Sequence, residues 1–230
     1  MSLVVFPEAY ALGRLNKGAK FERLVSEVGS VPCDLPGGAA SSGGAAPPRG
    51  QQATVSCLAK QHLVVLIANF FVQLENGTSR ICTVAFDAAG AVLAVYHKHH
   101  LFPSEELAGV TAGPFAPTTF SALGREWGVV ICYEGVYPYV SGDFPQMDAL
   151  VARGASAFVW SVGGEVPLDL LSELLTTKYS VDMVASMVTG ATPSGGDIVS
   201  GAGKPFNYTD SRVHVSGYAG MAALRAATIV

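Results

Sequence analysis

Short apolar runs recur along the chain, and the residues between them switch to helical spacing or to turn formers. Leu3-Val4-Val5-Phe6 is the first run; Pro7 interrupts it and Glu8 follows, so residues 3–8 predict a buried strand ending in a polar loop. Further strand-like runs are Leu63–Ala68, Ile81–Phe86, Ala91–Tyr96, Gly128–Cys132, Ala157–Ser161 and Met183–Thr189. Asp87-Ala88-Ala89-Gly90 is a turn signal that makes a hairpin of the runs on either side of it. Helices are predicted over Gln52–Lys60, Asp148–Arg153 and Pro167–Tyr179. In the last, Leu168, Leu171, Leu174 and Leu175 fall at helical spacing behind a proline suited to a first turn. Continuous apolar strands alternating with helices predict an α/β protein with helices covering its sheet.

Residues 36–50, PGGAASSGGAAPPRG, are built of Pro, Gly, Ala and Ser. That composition cannot bury surface, so it predicts a flexible loop; strand-like material on both sides keeps it inside one domain, residues 1–216. Residues 217–230 are Ala-rich and carry no signal. A buried parallel strand at residue 3 needs a neighbour already in place, so the natural start is expected upstream of Met1. On that expectation the absence of a basic, apolar leader at Met1 says nothing about compartment.

Composition narrows the classes. Half of the 230 residues are apolar, enough for a core, which excludes wholesale disorder. Lys and Arg number 14 against 18 Asp and Glu, and only 14% of residues are charged. Such a surface offers no electrostatic footprint for nucleic acid. The longest apolar run, Leu63–Val72, is about half the ~20 residues of a transmembrane helix. Cys33, Cys57, Cys82 and Cys132 match no zinc or Cys-x-x-Cys spacing, and no metal or cofactor is expected. Sequons at Asn76 and Asn207, taken with the cysteines, tilt toward an oxidising, secretory compartment.

The chemistry lies where strands end. Glu8, Lys98 and Cys132 each follow a strand-like run, the place where α/β sheets gather reactive groups. A free thiol has a pKa of ~8.5 and is mostly protonated at neutral pH. A carboxylate can remove its proton, while an ammonium can stabilise the thiolate and then the oxyanion formed on attack at a carbonyl.

The order and context of these residues carry a family resemblance. FPE (6–8), YHKHHLF (96–102) and VVICYEGVYP (129–138) resemble the nitrilase, or carbon–nitrogen hydrolase, superfamily with its Glu-Lys-Cys triad. VPC (31–33), SCLAKQHLVVLIAN (56–69), YHKHHLFPSEE (96–106) and SGAGKP (200–205) look like its biotinidase/vanin (pantetheinase) branch. The resemblance implies a four-layer αββα sandwich, here without its first strand and helix, paired with a second copy through a sheet face. It implies that Glu8 is the general base, Cys132 the nucleophile, and Lys98 with the Tyr133 backbone N–H the oxyanion donors. Glu105 would support Lys98, with Glu106 as a poorer stand-in. The substrate would be a vitamin-type amide such as pantetheine or biocytin, cleaved through a thioester, and Cys33 and Cys57 would pair. The branch's Cys-Phe-Asp turn is here Cys132-Tyr133-Glu134, and its Pro-Thr-Ala-Trp-like run is Trp160-Ser161-Val162-Gly163. The latter predicts that the pocket aromatic is displaced or lost.

Rival readings use the same residues. His97, His99 and His100 with Cys132 suggest zinc but lack a completed ligand set. His99 or His100 could be the base of a Cys–His dyad. A general aliphatic amidase, an acyltransferase and a catalytically inactive interaction module complete the alternatives.

Overall fold

A computed structural model describes residues 2–8, 21–24, 26–35, 50–163, 168–188, 198–199, 205–206 and 211–216. Strands β1 (Leu3–Val5) and β2 (Glu22–Arg23) precede a short 3-10 turn at Pro32–Asp34 and helix α1 (Gln51–His62). Leu63 then takes a left-handed conformation at φ 53° and closes α1 through its bond to the Ala59 carbonyl. For that reason the strand predicted from Leu63 begins later, as β3 (Val65–Gln73). β4 (Ser79–Phe86) and β5 (Val92–His97) form the predicted hairpin, with Gly90 at φ 80° in its turn.

The second half runs through α2 (Pro103–Leu107), β6 (Thr119–Ala122), β7 (Arg125–Ile131), α3 (Tyr133–Ser141) and α4 (Pro145–Ala152). It continues with β8 (Ala157–Val162), α5 (Leu168–Tyr179), β9 (Asp182–Val188), β10 (Ile198–Val199), β11 (Pro205–Phe206) and β12 (Ser211–Ser216). The run predicted as a strand through Cys132 ends at Ile131, and the Cys132-Tyr133-Glu134 turn of the resemblance leads straight into a helix. β6 and α3 were not anticipated. No helix among the described residues is long and apolar enough to cross a membrane.

One sheet has the order β1-β3-β4-β5, with β2 also on β3; the other has the order β12-β9-β8-β7-β6. β1 is parallel to β3, and β7, β8 and β9 are mutually parallel. Alternation along each strand sorts the core into layers. Val5, Ile67, Ala85 and Tyr96 of the first sheet meet Val129, Ile131, Val159 and Val184 of the second. The first sheet's outer face, with Leu66, Phe70 and Phe86, packs on Val55 and Ala59 of α1. The second sheet's outer face, with Val130, Phe158 and Trp160, packs on Met147, Leu150 and Leu175 of α4 and α5. Helix, sheet, sheet, helix is the predicted four-layer αββα sandwich.

Cys33 and Cys57 form a disulfide, while Cys82 and Cys132 are free. The bridge joins the 3-10 turn to α1. Loop residues 36–49, Asn207 and residues 217–230 lie outside the described residues.

Candidate active site

Three chain segments leave their sheets at the same rim. The β1–β3 ladder continues to Phe6, whose N–H bonds to the Ile67 carbonyl, so Glu8 stands two residues beyond it. Lys98 follows β5; its N–H donates to Ile81 and its carbonyl accepts from Gly113. Cys132 follows β7 in a strained conformation, φ 43° and ψ −110°. Strain of this kind costs on the order of 1–3 kcal/mol and persists only where the surroundings over-determine it. Here the Cys132 N–H donates to the Ser161 carbonyl at 2.6 Å, and its carbonyl accepts from Gly135 N–H at 3.1 Å and from the Trp160 indole at 3.0 Å. A Cβ on residue 135 would overlap that indole, so only glycine lets α3 start this close to β8.

The Lys98 ammonium is fully buried and lies 2.8 Å from Glu8 Oε1 and 2.6 Å from Glu105 Oε1. Glu105 is held in turn, because its Oε2 accepts the Phe102 N–H at 2.8 Å and closes the first turn of α2. Glu106, its stand-in, is exposed. Cys132 joins the group electrostatically, since its thiol feels the Glu8 carboxylate, the Lys98 ammonium and the Gly163 backbone N–H. Glu8, Lys98, Glu105 and Cys132 are therefore brought together. Tyr133 opens α3, so its N–H sits at the helix N-terminus, where the helix itself supplies no acceptor.

The electrostatics assign resting charges. Burial opposes the Lys98 charge, but its neighbours, the Glu8 carboxylate first and then the Cys132 sulfur and Glu105, outweigh it and hold the ammonium above its ordinary range. Burial and then Glu8 push the Cys132 thiol up, against the pull of Lys98 and the Gly163 N–H. Cys132 thus rests as a thiol beside a carboxylate rather than as a preformed thiolate. Burial also raises Glu105, against the Lys98 charge.

His99 and His100 are engaged elsewhere. His99 Nδ1 pairs with the Gly113 carbonyl at 2.8 Å, and His100 stacks on Tyr137. Burial, and then His99, hold His100 below its ordinary value. Burial, and then Arg80, do the same to His97. Among the described residues, no three His, Cys, Asp or Glu side chains gather as a metal site. His99, His100, Phe102, Phe115, Tyr133 and Tyr137 make one chain of ring contacts beside the site. Phe102 and Phe115 are half-exposed at its edge.

One residue was read differently from the sequence and one was given no role by it. Trp160, expected as a displaced pocket aromatic, is buried on the helix side under the Cys132 elbow. Glu134 is buried and accepts hydrogen bonds from Tyr96 Oη, His99 N, Ile131 N and Gln146 Nε2. The available signal was a carboxylate two residues after the strand-end cysteine.

The family model of carbon–nitrogen hydrolases matches residues 1–153, about two thirds of the chain. Several solved structures share the fold. A glutamate-to-glutamine variant of the amidase from Nesterenkonia sp. AN1, carrying the acetamide moiety of fluoroacetamide on its active-site cysteine, is 17% identical with a TM-score of 0.64. The match covers 95% of this chain and 78% of that one. A cysteine-to-serine variant of the Nesterenkonia AN1 amidase, from the nitrilase superfamily, is 18% identical over 92% of this chain and 77% of that one, with a TM-score of 0.60. A carbon–nitrogen hydrolase from Helicobacter pylori G27 is 18% identical over 93% and 69%, with a TM-score of 0.59. A search of curated proteins finds no match. The chain belongs to the carbon–nitrogen hydrolase (nitrilase) family, a class of enzymes that hydrolyse bonds between carbon and nitrogen.

Proposed function

We propose that this chain hydrolyses the C–N bond of a linear, non-peptide carboxamide through a thioester on Cys132. The observation that carries the reading is the buried Lys98 ammonium held between Glu8 and Glu105, beside a cysteine on a strained strand-to-helix elbow. Glu8 takes the thiol proton as sulfur attacks the amide carbonyl. Lys98 and the Tyr133 N–H receive the charge that develops on oxygen. The tetrahedral adduct collapses as Glu8 returns the proton to the departing amine, leaving a thioester. Glu8 then deprotonates a water that attacks the thioester; the acid leaves and Cys132 is reprotonated.

The substrate we favour is a vitamin-type amide such as pantetheine or biocytin. The motifs shared with the biotinidase/vanin branch support it, as does the Cys33–Cys57 bridge, which falls in two of them. A secretory or extracellular setting fits the same bridge and the exposed sequon at Asn76 in the β3–β4 turn. The test is a side-by-side measurement of kcat/KM on pantetheine, biocytin and a short aliphatic amide, with Cys132→Ala as control. Turnover of a vitamin amide that vanishes in Cys132→Ala is the expected result. Preference for the aliphatic amide would make the chain a general amidase, and amine-dependent formation of a new amide would make it an acyltransferase. Undiminished turnover by Cys132→Ala would overturn the mechanism.

A further inference from the structure

Lys98 and Cys132 belong to different sheets. Lys98 leaves β5 of the first, and Cys132 leaves β7 of the second. The surface between the sheets is largely aliphatic, and apolar packing is non-directional, so it does little to fix one sheet's rim against the other to a fraction of an ångström. Glu134 lies between those rims. Its Oε1 accepts the Tyr96 hydroxyl at 2.7 Å, the His99 N–H at 2.8 Å and the His100 N–H at 3.3 Å. Those residues bracket Lys98. Its Oε2 accepts the N–H of Ile131, the residue before Cys132, at 2.9 Å. The same oxygen accepts Gln146 Nε2 at 3.2 Å, and that amide also donates to the Val129 carbonyl of β7.

We infer that Glu134 is a positioning residue whose single buried carboxylate ties the segment carrying Lys98 to the elbow carrying Cys132, and so sets the ammonium against the sulfur. The inference rests on the proposed role of Cys132 as nucleophile. Three of the donors are backbone N–H groups, which cannot turn away or change sign. Only an acceptor on both oxygens satisfies them all; burial pushes the Glu134 carboxyl up, and the Tyr96, His99 and Ile131 donors, with the Lys98 charge, pull the other way toward the ionised carboxylate that can accept from every one of them. Its charge also sits in the first turn of α3, where the helix dipole favours it. Burial and the Glu134 charge push the Tyr96 phenol up, so it keeps its proton and donates.

A charged tie and a space-filler respond in opposite order to two substitutions. Glu134→Gln keeps the shape but turns an NH2 toward an N–H donor. Glu134→Asp keeps the charge but shortens the reach. We expect Glu134→Gln to lose about 10²-fold in kcat with KM little changed, the scale of an ångström of misplacement in a catalytic group. Glu134→Asp should retain more kcat than Glu134→Gln. Wild-type kcat in Glu134→Gln, or activity there at or above that of Glu134→Asp, would overturn the inference. If Glu134→Gln fails to give a cooperative thermal transition, Tyr96→Phe decides. It removes one hydroxyl from the tie and keeps the ring in the core, and it should lower kcat several-fold at unchanged KM; wild-type kcat would overturn the inference. Cys132→Ala separates the two levels. An inactive Cys132→Ala with an unaffected Glu134→Gln refutes the positioning role alone, whereas an active Cys132→Ala refutes the proposed reaction and this inference with it.

Discussion

Gly163, the residue after β8, gives the sharpest test of how tightly the site is built. A Cβ there would stand 2.7 Å from Glu8 Oε2 and 3.3 Å from Glu8 Cβ, whereas ordinary contact begins near 3.4 Å. In Gly163→Ala something must retreat by roughly 0.7 Å. The nearest obstacle is the far end of a flexible side chain, so the Glu8 carboxylate gives way before the backbone does. That carboxylate contacts Lys98 Nζ at 2.8 Å and acts on the Cys132 thiol, so the retreat displaces the proposed base from both partners. A misplacement of about 1 Å costs on the order of 10²-fold, so a loss of about 30- to 100-fold in kcat/KM, or roughly 2–3 kcal/mol, is expected. Folding should be nearly untouched. Residue 163 is not among the glycines at positive φ, and a Gly→Ala change at such a site gains about 0.4–1 kcal/mol from the unfolded chain. Amide turnover and thermal unfolding, read on the same preparation, check both halves. Glu8→Asp in the Gly163→Ala background, by shortening the side chain, should recover part of the loss that the two single changes would sum to. Wild-type kcat/KM in Gly163→Ala would refute the crowding argument, and a collapse in Tm would show that the backbone had moved instead.

Three further outcomes follow from the same geometry. Lys98→Met leaves two buried carboxylates facing each other, which should abolish turnover and cost about 3–5 kcal/mol of stability. Burial already raises Glu105 and Lys98 is what lowers it, so without Lys98 the penalty of its charge should be greatest at neutral pH and shrink as pH falls toward ~4, read as Tm against pH. Glu8→Gln removes a group that raises the Cys132 thiol while Lys98 stays, so the thiolate absorbance step should move to lower pH in the inactive variant; an unchanged step would place Glu8 away from the sulfur. Cys82 should stay silent, since burial holds its thiol up. Removing the Cys33–Cys57 bridge by paired serine substitution reopens a loop of 24 residues, which should cost about 3 kcal/mol and lower Tm by roughly 10 °C. A Tm unchanged by the substitution would argue against the bridge.

What could be read along the chain was local. Apolar runs located most strands of both sheets, because a strand buried on both faces must be apolar at successive positions. The Asp87–Gly90 turn located a hairpin, since Gly90 sits at φ 80° as that turn requires. Glu8, Lys98 and Cys132 stood out because each is polar or reactive directly after such a run. α3 was missed because Gly135, Val136 and Pro138 are poor helix residues; the Cys132 elbow and the packing of Trp160 form it instead. β6 is short and pairs with β7 through a turn at Leu123 and Gly124, both at positive φ, without a continuous apolar run.

Tertiary structure alone decided how these segments meet. The sequence separations of 34 from Lys98 to Cys132 and of 90 from Glu8 to Lys98 place no constraint on distance until two sheets stack. Glu134 acquires its meaning from donors on β5, β7 and α4, and Gly163 from a carboxylate on the opposite sheet. Periodicity records which face of an element is apolar. It does not record which partner a buried carboxylate finds across a sheet interface, because that pairing depends on through-space geometry rather than on spacing along the chain.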